Sequence, residues 1–425
     1  MLLKEMKIVK VNKTLAQGLL FSIYAFIGRG IGFVLLVLLA NYIPPSDYGK
    51  LSLFNTVLML VGFLMTFSTY GYFGNSYIKE SRTVFRKDFS GIIIFLLLSA
   101  IFVAAIFLLF GNSIHKIIGL DVEYLWWALI VGVFNILFQL HIDYYRLNER
   151  IKLYGVLNLS NASLNAILSL LFVAVFLQGW KGRVYVQILV TIIYGFVGLY
   201  YFISNGFFDF RVSLKRMKYI FLWGLPQIPH MATNWIRQGC DQYIINYNYS
   251  TYEVGLFSFA LNLVSIITMI GMAFNSSNAV TIYKILADRT LKGKIKILSK
   301  NTRYIFYIYS VSTLATIVLA FIFVPVFLPK YDEALCYFLL LSIYGFLVCM
   351  YFLYCNYLFY YDHTRQLMYI TFGTSVLHLG LSLILTHISL YFTAFLYILS
   401  QFLCVALVYR ISKRIVMKEI GRDPF

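Results

Sequence analysis

Hydrophobic residues run through this chain in long uninterrupted blocks that are separated by short polar segments. A block of about 20 apolar residues is long enough for a helix to cross the hydrocarbon core of a membrane. Backbone amides inside a bilayer must pair within the protein, and the period-two alternation of a β-barrel is missing, so the blocks predict helices. Twelve windows are predicted as membrane-spanning helices, at residues 15–42, 51–74, 90–111, 124–141, 154–178, 184–204, 219–247, 254–280, 304–328, 334–359, 366–386 and 389–409.

A short motif recurs in the two halves of the chain. The segment PPSDYGKLSLF follows the first predicted span, and STYEVGLFSFA follows the seventh. Both contain an acidic residue, then a glycine and a serine at the same spacing, and Glu253 follows Asp47 by 206 residues. Gly49 and Gly255 are expected to be permissive turn residues that start the next helix. The recurrence favours two related halves, and a turn motif met twice by chance is the alternative.

The predicted fold class is therefore all-α, a polytopic membrane protein with about twelve transmembrane helices in two six-helix bundles. The predicted parts are an N-terminal six-helix lobe at 1–204, a cytoplasmic linker at 205–218, and a C-terminal six-helix lobe with a short basic tail at 219–425. Pro226 and Pro229 lie near the start of the seventh span. Because proline lacks a backbone donor, this span is predicted to be kinked or partly unwound there.

Composition and charge agree with this class and set the orientation. Apolar residues make up 61% of the chain and charged residues 12%, against about half and a quarter in soluble proteins. Of the 35 Lys and Arg, 28 lie in segments that face the cytoplasm when the N-terminus is inside, and five, among them Arg183, lie on the opposite side. Since positively charged loops stay in the cytoplasm, both termini are predicted to be cytoplasmic. The net charge of +18 is largely this topology signal, so no nucleic-acid partner is expected.

No pattern in the sequence points to catalysis or to a cofactor. No segment resembles a nucleotide-binding loop, a thiolate metal site or a catalytic dyad, so neither ATP hydrolysis nor a metal or other cofactor is expected. The five cysteines fall in predicted spans and are interpreted as small core hydrophobes. The chain is predicted not to be an enzyme, and membrane lipids are its expected surroundings.

Four stretches of the chain resemble a known family. They are LANYIPPSDYGKLSLF at the end of the first span, YYRLNERIKLYGVLNLSNASLNAILS leading into the fifth, LWGLPQIPHMATNWIRQGCDQYIINY in the seventh, and VGLFSFALNL opening the eighth. Together with the span count and loop lengths, they resemble the Wzx-type polysaccharide flippases of the multidrug/oligosaccharidyl-lipid/polysaccharide exporter superfamily, which handle O-antigen or capsule repeat units. One departure is visible, because the family often has Asp-Arg late in the seventh span, whereas Asp241 is followed by Gln242 here.

The resemblance implies export of an undecaprenyl-pyrophosphate-linked oligosaccharide from the cytoplasmic to the outer leaflet of the bacterial cytoplasmic (inner) membrane. It also implies alternating access between the two lobes, driven by an H+ or Na+ gradient, with a polysaccharide polymerase complex as a candidate partner. Two other classes stay open, a drug or cation antiporter of the same superfamily and a membrane polysaccharide polymerase or ligase. The antiporter calls for a more acidic cavity, and the enzyme for a sizeable external loop, which the predicted topology lacks.

Three formally charged residues fall inside the predicted spans, namely Arg29, Arg237 and Asp241. A central Arg costs about 2.5 to 3.5 kcal/mol to insert, so each needs a compensating interaction. Arg29, between glycines at 28, 30 and 32, is predicted to bind the cargo's pyrophosphate, and a structural pairing with another helix is the alternative. Arg237 and Asp241 share one helical face, where they either neutralise each other or act in transport. In transport, Arg237 shares the pyrophosphate and protonation of Asp241 couples export to the ion gradient.

Polar side chains that recur at helical spacing suggest faces that look into a hydrated path for the sugar. The candidates for sugar binding are Asn158, Asn161 and Asn165 on the fifth span and Asn262 on the eighth. His378, in a stripe of small polar residues on the eleventh span, is a second candidate for coupling because imidazole titrates near neutral pH. The alternatives are helix packing by small polar residues and a hydrogen-bonded packing role for His378.

Overall fold

The structure is a computed structural model that describes residues 2–66, 69–288 and 293–420. The chain divides into two compact units, Met1–Met231 and Ala232–Phe425. The described ranges form fifteen α-helices and no strand, in agreement with the predicted all-α class.

The helices lie in both units and are numbered in chain order. The first unit contains α1 (Leu2–Tyr42), α2 (Pro45–Thr66), α3 (Tyr72–Lys79), α4 (Arg82–Ile118), α5 (Val122–Leu147), α6 (Ile151–Leu170), α7 (Gly179–Ser204) and α8 (Leu214–Gly224). The division between the units falls inside α9 (Ile228–Trp235). The second unit contains α10 (Asp241–Asn248), α11 (Thr251–Ala287), α12 (Lys294–Phe327), α13 (Ala334–Tyr360), α14 (Thr364–Leu385) and α15 (Leu390–Ile420).

Eleven of the described helices are long and apolar enough to cross a membrane. They are α2, α4 to α7, α11 to α15 and the Ile23–Tyr42 part of α1. Several extend beyond the predicted windows, because charged residues at a helix end lower the local hydropathy without ending the helix. For example, α4 begins at Arg82, eight residues before its predicted window. The second window, 51–74, was wrong at its end, since α2 ends at Thr66 and α3 begins at Tyr72.

The seventh predicted span, 219–247, is not one continuous helix. After α8 come a 3-10 turn (Leu225–Gln227), α9, a π-helical segment (Ile236–Cys240) and α10. Pro226 lies in the 3-10 turn and Pro229 at the start of α9, where each removes a backbone donor from the α-helical ladder. The interruption predicted from these prolines is confirmed, and it explains why eleven long helices accompany twelve predicted windows.

The division between the compact units falls within this broken segment. The assignments of 1–204 and 219–425 to six-helix lobes and of 205–218 to a cytoplasmic linker stay predictions. In the structure, the segment 205–218 is anchored to α4, because the backbone N–H of Asp209 donates to Ser90 Oγ over 2.8 Å.

The recurring motif lies at the start of a long helix in each unit. Asp47 is in the first turn of α2, and Glu253 is in the first turn of α11. A carboxylate in that position is favoured by the positive end of the helix dipole. The sequence predicted that Gly49 and Gly255 are turn residues, and this was wrong. Both are buried residues inside helices. The sequence predicted a turn because glycine is common there, whereas these glycines occupy packed helix surface.

Helices α2, α5 and α7 of the first unit pack closely through glycines. A Cβ at Gly195 on α7 would lie 2.6 Å from the Phe134 carbonyl oxygen on α5. A Cβ at Gly132 on α5 would lie 2.9 Å from Val61 Cγ1 on α2. Small residues let helices approach closely in lipid, so these two glycines hold the three helices together.

An ion-pair cluster around the buried Asp88 fixes the start of α8 against α3 and α4. Arg216 donates from Nε to Asp88 Oδ1 over 2.6 Å, and from Nη2 to Asp88 Oδ2 and Glu80 Oε1 over 2.7 Å each. Asp88 is fully buried and also accepts a hydrogen bond from Ser76 Oγ at 2.5 Å. Hydrogen bonding to Asp88 raises the pKa of Arg216, which therefore stays charged. The sequence places these residues in separate polar segments and carries no signal that they meet.

We expect Arg216→Ala to destabilise the protein by about 3 kcal/mol, because the buried Asp88 carboxylate loses its cation. The lower end of the usual range applies, since the Arg216 side chain is 27% exposed. Thermal unfolding of the purified, detergent-solubilised protein measures the change. Lys215→Ala is the matched control, because Lys215 is exposed on the same helix. Equal stability of the two variants would contradict a structural role for the cluster.

Candidate functional site

In the second unit, the π-helical segment places Arg237 against α14 and α15. The guanidinium donates from Nε to Ser375 Oγ at 2.5 Å and from Nη2 to Thr374 Oγ1 at 2.6 Å, both on α14. From Nη1 it donates to Gln401 Oε1 on α15. All three partners are neutral, and Arg237 is only half-buried. A partly exposed cation held by neutral acceptors keeps its positive charge available to an anion.

Asp241, the first residue of α10, forms a separate buried pair. Its Oδ2 lies 2.7 Å from His378 Nε2 on α14, and its Oδ1 accepts a hydrogen bond from Ser382. Asp241 and His378 are each 1% exposed. Ser400 Oγ on α15 lies 3.3 Å from His378 Nδ1, so both ring nitrogens have a polar neighbour. The two residues proposed for coupling, which are far apart in sequence, are therefore in direct contact.

A row of hydroxyl groups continues from this pair along α14 and α15. The hydroxyls of Ser382 and Thr386 are 3.0 Å apart, and Thr393 donates to Thr386 Oγ1 over 3.0 Å. All three side chains are fully buried. Buried polar groups are tolerated in a membrane-spanning region when they bond to one another. A carboxylate and an imidazole in direct contact can hold one proton between them.

Arg237 and Asp241 do not neutralise each other directly. In the described part of the chain no ion pair joins them, and each bonds instead to side chains of α14. The physical reason lies in the π-helical segment Ile236–Cys240, whose wider turn changes the angular spacing that an α-helix gives to residues four apart. The described residues therefore do not show the direct Arg237–Asp241 ion pair that the self-neutralising alternative requires. The proposed roles in transport stay predictions.

The polar stripe predicted on the eleventh span forms one face of α14, but this face is buried. Ser375, His378 and Ser382 are each at most 1% exposed. They point toward Arg237 and Asp241 and supply their hydrogen-bond partners. The stripe thus organises the charged residues of the broken helix and does not line an open path.

Asn262, the proposed sugar-binding residue of the second unit, lies on α11 and is half-buried. Ser265 Oγ donates to its backbone carbonyl over 2.6 Å. Its sugar-binding role stays a prediction.

In the first unit, Arg29 lies within the membrane-spanning part of α1 and is exposed. The neighbouring Gly28 packs against α6, where a Cβ would lie 3.1 Å from Asn158 Oδ1. Gly30 and Gly32 face open space, because a Cβ at either would meet no other atom within 4 Å. Two of the three glycines beside Arg29 therefore leave open space around the helix, and the access of a ligand to Arg29 and its contact with pyrophosphate stay predictions.

The predicted asparagine row lies on α6, and one of its members, Asn165, is hydrogen-bonded to α7. Asn158, Asn161 and Asn165 are all half-buried. Arg183 on α7 donates from Nη1 to Asn165 Oδ1 and to Ser169 Oγ, the latter over 3.0 Å. The row is therefore not one continuous free face for sugar, because Asn165 serves as an acceptor for Arg183.

The position of Arg183 within a helix was not predicted from the sequence. It was assigned to an external loop, yet α7 begins at Gly179 and includes it. The first turn of α7 is polar, so its hydropathy is too low for it to be included in the predicted span, which starts at residue 184. The Nε atom of Arg183 is buried without a hydrogen-bond partner among the described residues. A buried donor of this kind is one that a water or a ligand oxygen can satisfy.

Residues with metal or redox chemistry are scattered. Among the described residues, no group of three His, Cys, Asp or Glu side chains is arranged to hold a metal ion. The five cysteines are free, and four are buried as expected. Cys336 is the exception, because it is exposed at the start of α13.

Comparison with known proteins adds a family and a fold. Residues 15–282 match a family described as polysaccharide biosynthesis protein. A protein of Haemophilus influenzae, described as an uncharacterized membrane protein, is 20% identical over 304 residues, which cover 70% of this chain and 74% of that protein.

Two solved structures share the fold. An inward-facing multidrug resistance MATE family transporter of the MOP superfamily has a TM-score of 0.72 at 12% identity, covering 95% of this chain and 96% of that one. An outward-facing structure of a MATE family transporter of the same superfamily has a TM-score of 0.59 at 14% identity with the same coverage. At these identities the likeness establishes a MATE-like transporter fold and does not extend to the substrate.

Proposed function

The chain belongs to the polysaccharide biosynthesis protein family, and from that premise we propose that it is a flippase for lipid-linked saccharides. Its cargo is an undecaprenyl-pyrophosphate-linked oligosaccharide repeat unit of an O-antigen or capsule polymer. The protein moves this unit from the cytoplasmic to the outer leaflet of the bacterial cytoplasmic membrane by alternating access. The MATE-like fold and the eleven candidate spans support a multi-pass membrane transporter.

The charge of Arg237 is the observation that carries the proposal. This guanidinium lies in a broken helix and is held by three neutral side chains, so its charge is not cancelled by a carboxylate among its hydrogen-bond partners. Broken helices are where transporters bind ligands, and a planar guanidinium matches the geometry of a phosphate group. Arg29, exposed on α1, supplies a second cation. Two cations at membrane depth favour an anionic cargo over the cations of a drug antiporter.

The Asp241–His378 pair is the proposed coupling site. Of the two candidate ions, H+ suits the pair better, because an imidazole nitrogen binds a proton and stands where a further oxygen ligand for Na+ would be needed. Proton binding changes the charge of the network beside the Arg237 segment. This proximity links the ion gradient to the residue that holds the cargo.

The remaining proposed contacts are neutral. Asn158, Asn161, Asn165 and Asn262 are proposed to hydrogen-bond the sugars, since an amide offers both donors and an acceptor. Asn165 would act through its NH2 group, because its Oδ1 accepts from Arg183. A polysaccharide polymerase complex is the proposed partner that consumes the exported unit. In this proposal the protein itself makes or breaks no covalent bond of its cargo.

The proposed orientation places both termini in the cytoplasm. We expect reporter fusions at Lys294 and in the C-terminal tail to report cytoplasm, and fusions at Asp47 and Lys330 to report the outside. The basis is the 28 Lys and Arg on one side against five on the other. An external signal at Lys294 would overturn the orientation.

We expect Arg29→Ala to preserve or raise the amount of inserted protein and to abolish surface-glycan export. The variant removes an insertion cost of about 3 kcal/mol together with the proposed pyrophosphate contact. Arg29→Lys should restore export only in part, because an ammonium lacks the planar fork of guanidinium. Inserted protein and surface polymer are quantified in the same cells. Full export by the Ala variant would show that Arg29 does not bind the cargo. A smaller amount of inserted protein with normal export per molecule would show that Arg29 has a structural role.

Deletion of the gene tests the proposed function in cells. Complete lipid-linked units should accumulate on the cytoplasmic leaflet and disappear when the gene is restored. Unpolymerised units on the outer face would instead identify a polymerase or ligase. Normal surface polymer with increased sensitivity to cationic drugs would identify an antiporter.

A further inference from the structure

A polar cleft lies where α2, α5 and α7 of the first unit meet. Its volume is about 250 Å³. The cleft is lined by Asn55, Leu58, Met59, Gly62, Val131, Gly132, Asn135, Gln187 and Thr191. It shares no residue with the candidate functional site described above. Its polar residues lie on three helices, with Asn55 on α2, Asn135 on α5, and Gln187 and Thr191 on α7.

The polar groups of the cleft are unusual for membrane-spanning helices. Asn55 on α2 and Asn135 on α5 are exposed. A neutral amide that faces hydrocarbon without a hydrogen bond costs about 2 to 7 kcal/mol. The Oε1 atom of Gln187 on α7 is buried, yet it has no hydrogen-bond partner among the described residues. The cleft therefore presents hydrogen-bonding groups that water or a ligand must satisfy.

Two glycines shape the cleft in opposite ways. Gly132 lets α5 approach Val61 of α2, since a Cβ there would be only 2.9 Å from the valine methyl group. Gly62 faces open space, because a Cβ there would meet no other atom within 4 Å. Helices α2 and α5 are thus in close contact at Gly132, whereas open space remains beside Gly62 of α2.

We propose that this cleft binds a single sugar ring of the cargo, an inference that rests on the proposed flippase function and names a subsite for it. No lining residue is charged, so neither phosphate nor a cation is favoured. Three amides and one hydroxyl can each donate and accept, which matches the hydroxyl groups of a sugar. The volume is below the usual range of about 300 to 1,000 Å³ for larger ligands, so one ring fits and an oligosaccharide does not. Leu58, Met59 and Val131 offer apolar surface for the C–H face of the ring.

Thiol labelling of purified protein tests binding directly. Leu58→Cys places a reporter in the cleft and keeps all of its polar groups, in a Cys336→Ala background that removes the exposed native thiol. A small hydrophilic methanethiosulfonate should label Cys introduced at this position. Neutral methyl hexosides and methyl N-acetylhexosaminides should slow this labelling at least tenfold, whereas inorganic phosphate should not. Failure to label, or labelling that no glycoside slows, contradicts the proposal.

Filling the cleft tests its role in transport. Gly62→Leu extends a side chain into the open space, and we expect at least a tenfold loss of surface polymer at normal protein amounts, together with loss of glycoside protection. Gly380→Leu is the matched control, because Gly380 is an exposed helical glycine with equal room around its Cβ position. Normal export and retained protection in Gly62→Leu would overturn the proposal.

The two proposals fail in different ways. If glycosides do not protect the cleft, and gene deletion still traps lipid-linked units inside, the sugar subsite is wrong and the flippase function stands. If deletion leaves export intact, the flippase function is wrong, and glycoside protection of the purified protein still reports whether the cleft binds sugar.

Discussion

Arg237→Gln is expected to reduce surface-glycan export about a hundredfold while the amount of folded protein stays normal. A charge-assisted hydrogen bond contributes about 1.5 to 3 kcal/mol, and 2.8 kcal/mol corresponds to about a hundredfold. Folding should tolerate the change because Ser375, Thr374 and Gln401 are neutral, so no buried carboxylate loses its cation. This expectation separates Arg237 from Arg216, whose removal strands Asp88.

Surface polymer and detergent-extracted folded protein are measured in the same cells. Arg303→Gln is the matched control, because Arg303 is an exposed arginine on α12 of the same unit. Normal export by Arg237→Gln would remove the guanidinium from the cargo site. Loss of folded protein with normal export per molecule would make Arg237 a structural residue.

The second large effect is expected at the buried Asp241–His378 pair. Asp241→Asn removes the ionisable carboxylate and keeps a hydrogen-bonding side chain, so export should fall to the level of the deletion strain with normal protein amounts. His378→Ala leaves the buried carboxylate without its imidazole partner, which should destabilise the protein by about 3 to 5 kcal/mol. The double variant Asp241→Asn with His378→Ala should regain folded protein, since no bare carboxylate remains, and should not regain export.

Fluorescence-detected size-exclusion chromatography follows folded protein, and polymer staining follows export. Asp332→Asn, at an exposed carboxylate near the start of α13, is the control. Recovery of both folding and export in the double variant would show that the pair has only a structural role.

The coupling ion is tested separately. Export that stops when external Na+ is replaced by K+ would show that Na+, and not H+, drives the transport.

The helices could be predicted from the sequence because a bilayer imposes a minimum length of apolar chain on each span. The same reasoning fails at helix ends, where a window cannot distinguish a break from a continuation. The residues after Thr66 are still apolar, so the second span was extended too far, while the charged start of α4 at Arg82 was excluded. Pro226 and Pro229 gave a reliable signal, because a missing N–H interrupts any α-helix.

The charged residues of the candidate site could also be found in the sequence, because a charge in a membrane span is expensive. Their partners could not be found in this way. Helical spacing suggested that Arg237 and Asp241 pair, whereas the partners lie on α14 and α15, more than 130 residues away. Such contacts depend on how distant helices pack, which hydropathy and local spacing do not encode.

The amides of the sugar cleft escaped the sequence analysis for a related reason. Asn158 and its neighbours stood out because they recur on one helix. Asn55, Asn135 and Gln187 lie on three helices and form no periodic stripe. Only the close packing of α2, α5 and α7 brings them to one surface.

Reconstituted transport tests the central claim most directly. Purified protein is inserted into liposomes that contain an undecaprenyl-pyrophosphate-linked oligosaccharide on the inner leaflet, with a pH gradient across the membrane. The flippase proposal predicts that the saccharide becomes accessible to an externally added glycosidase faster than in protein-free liposomes, and that Arg237→Gln protein does not accelerate its appearance. Equal rates with and without the wild-type protein, under either direction of the gradient, would contradict it.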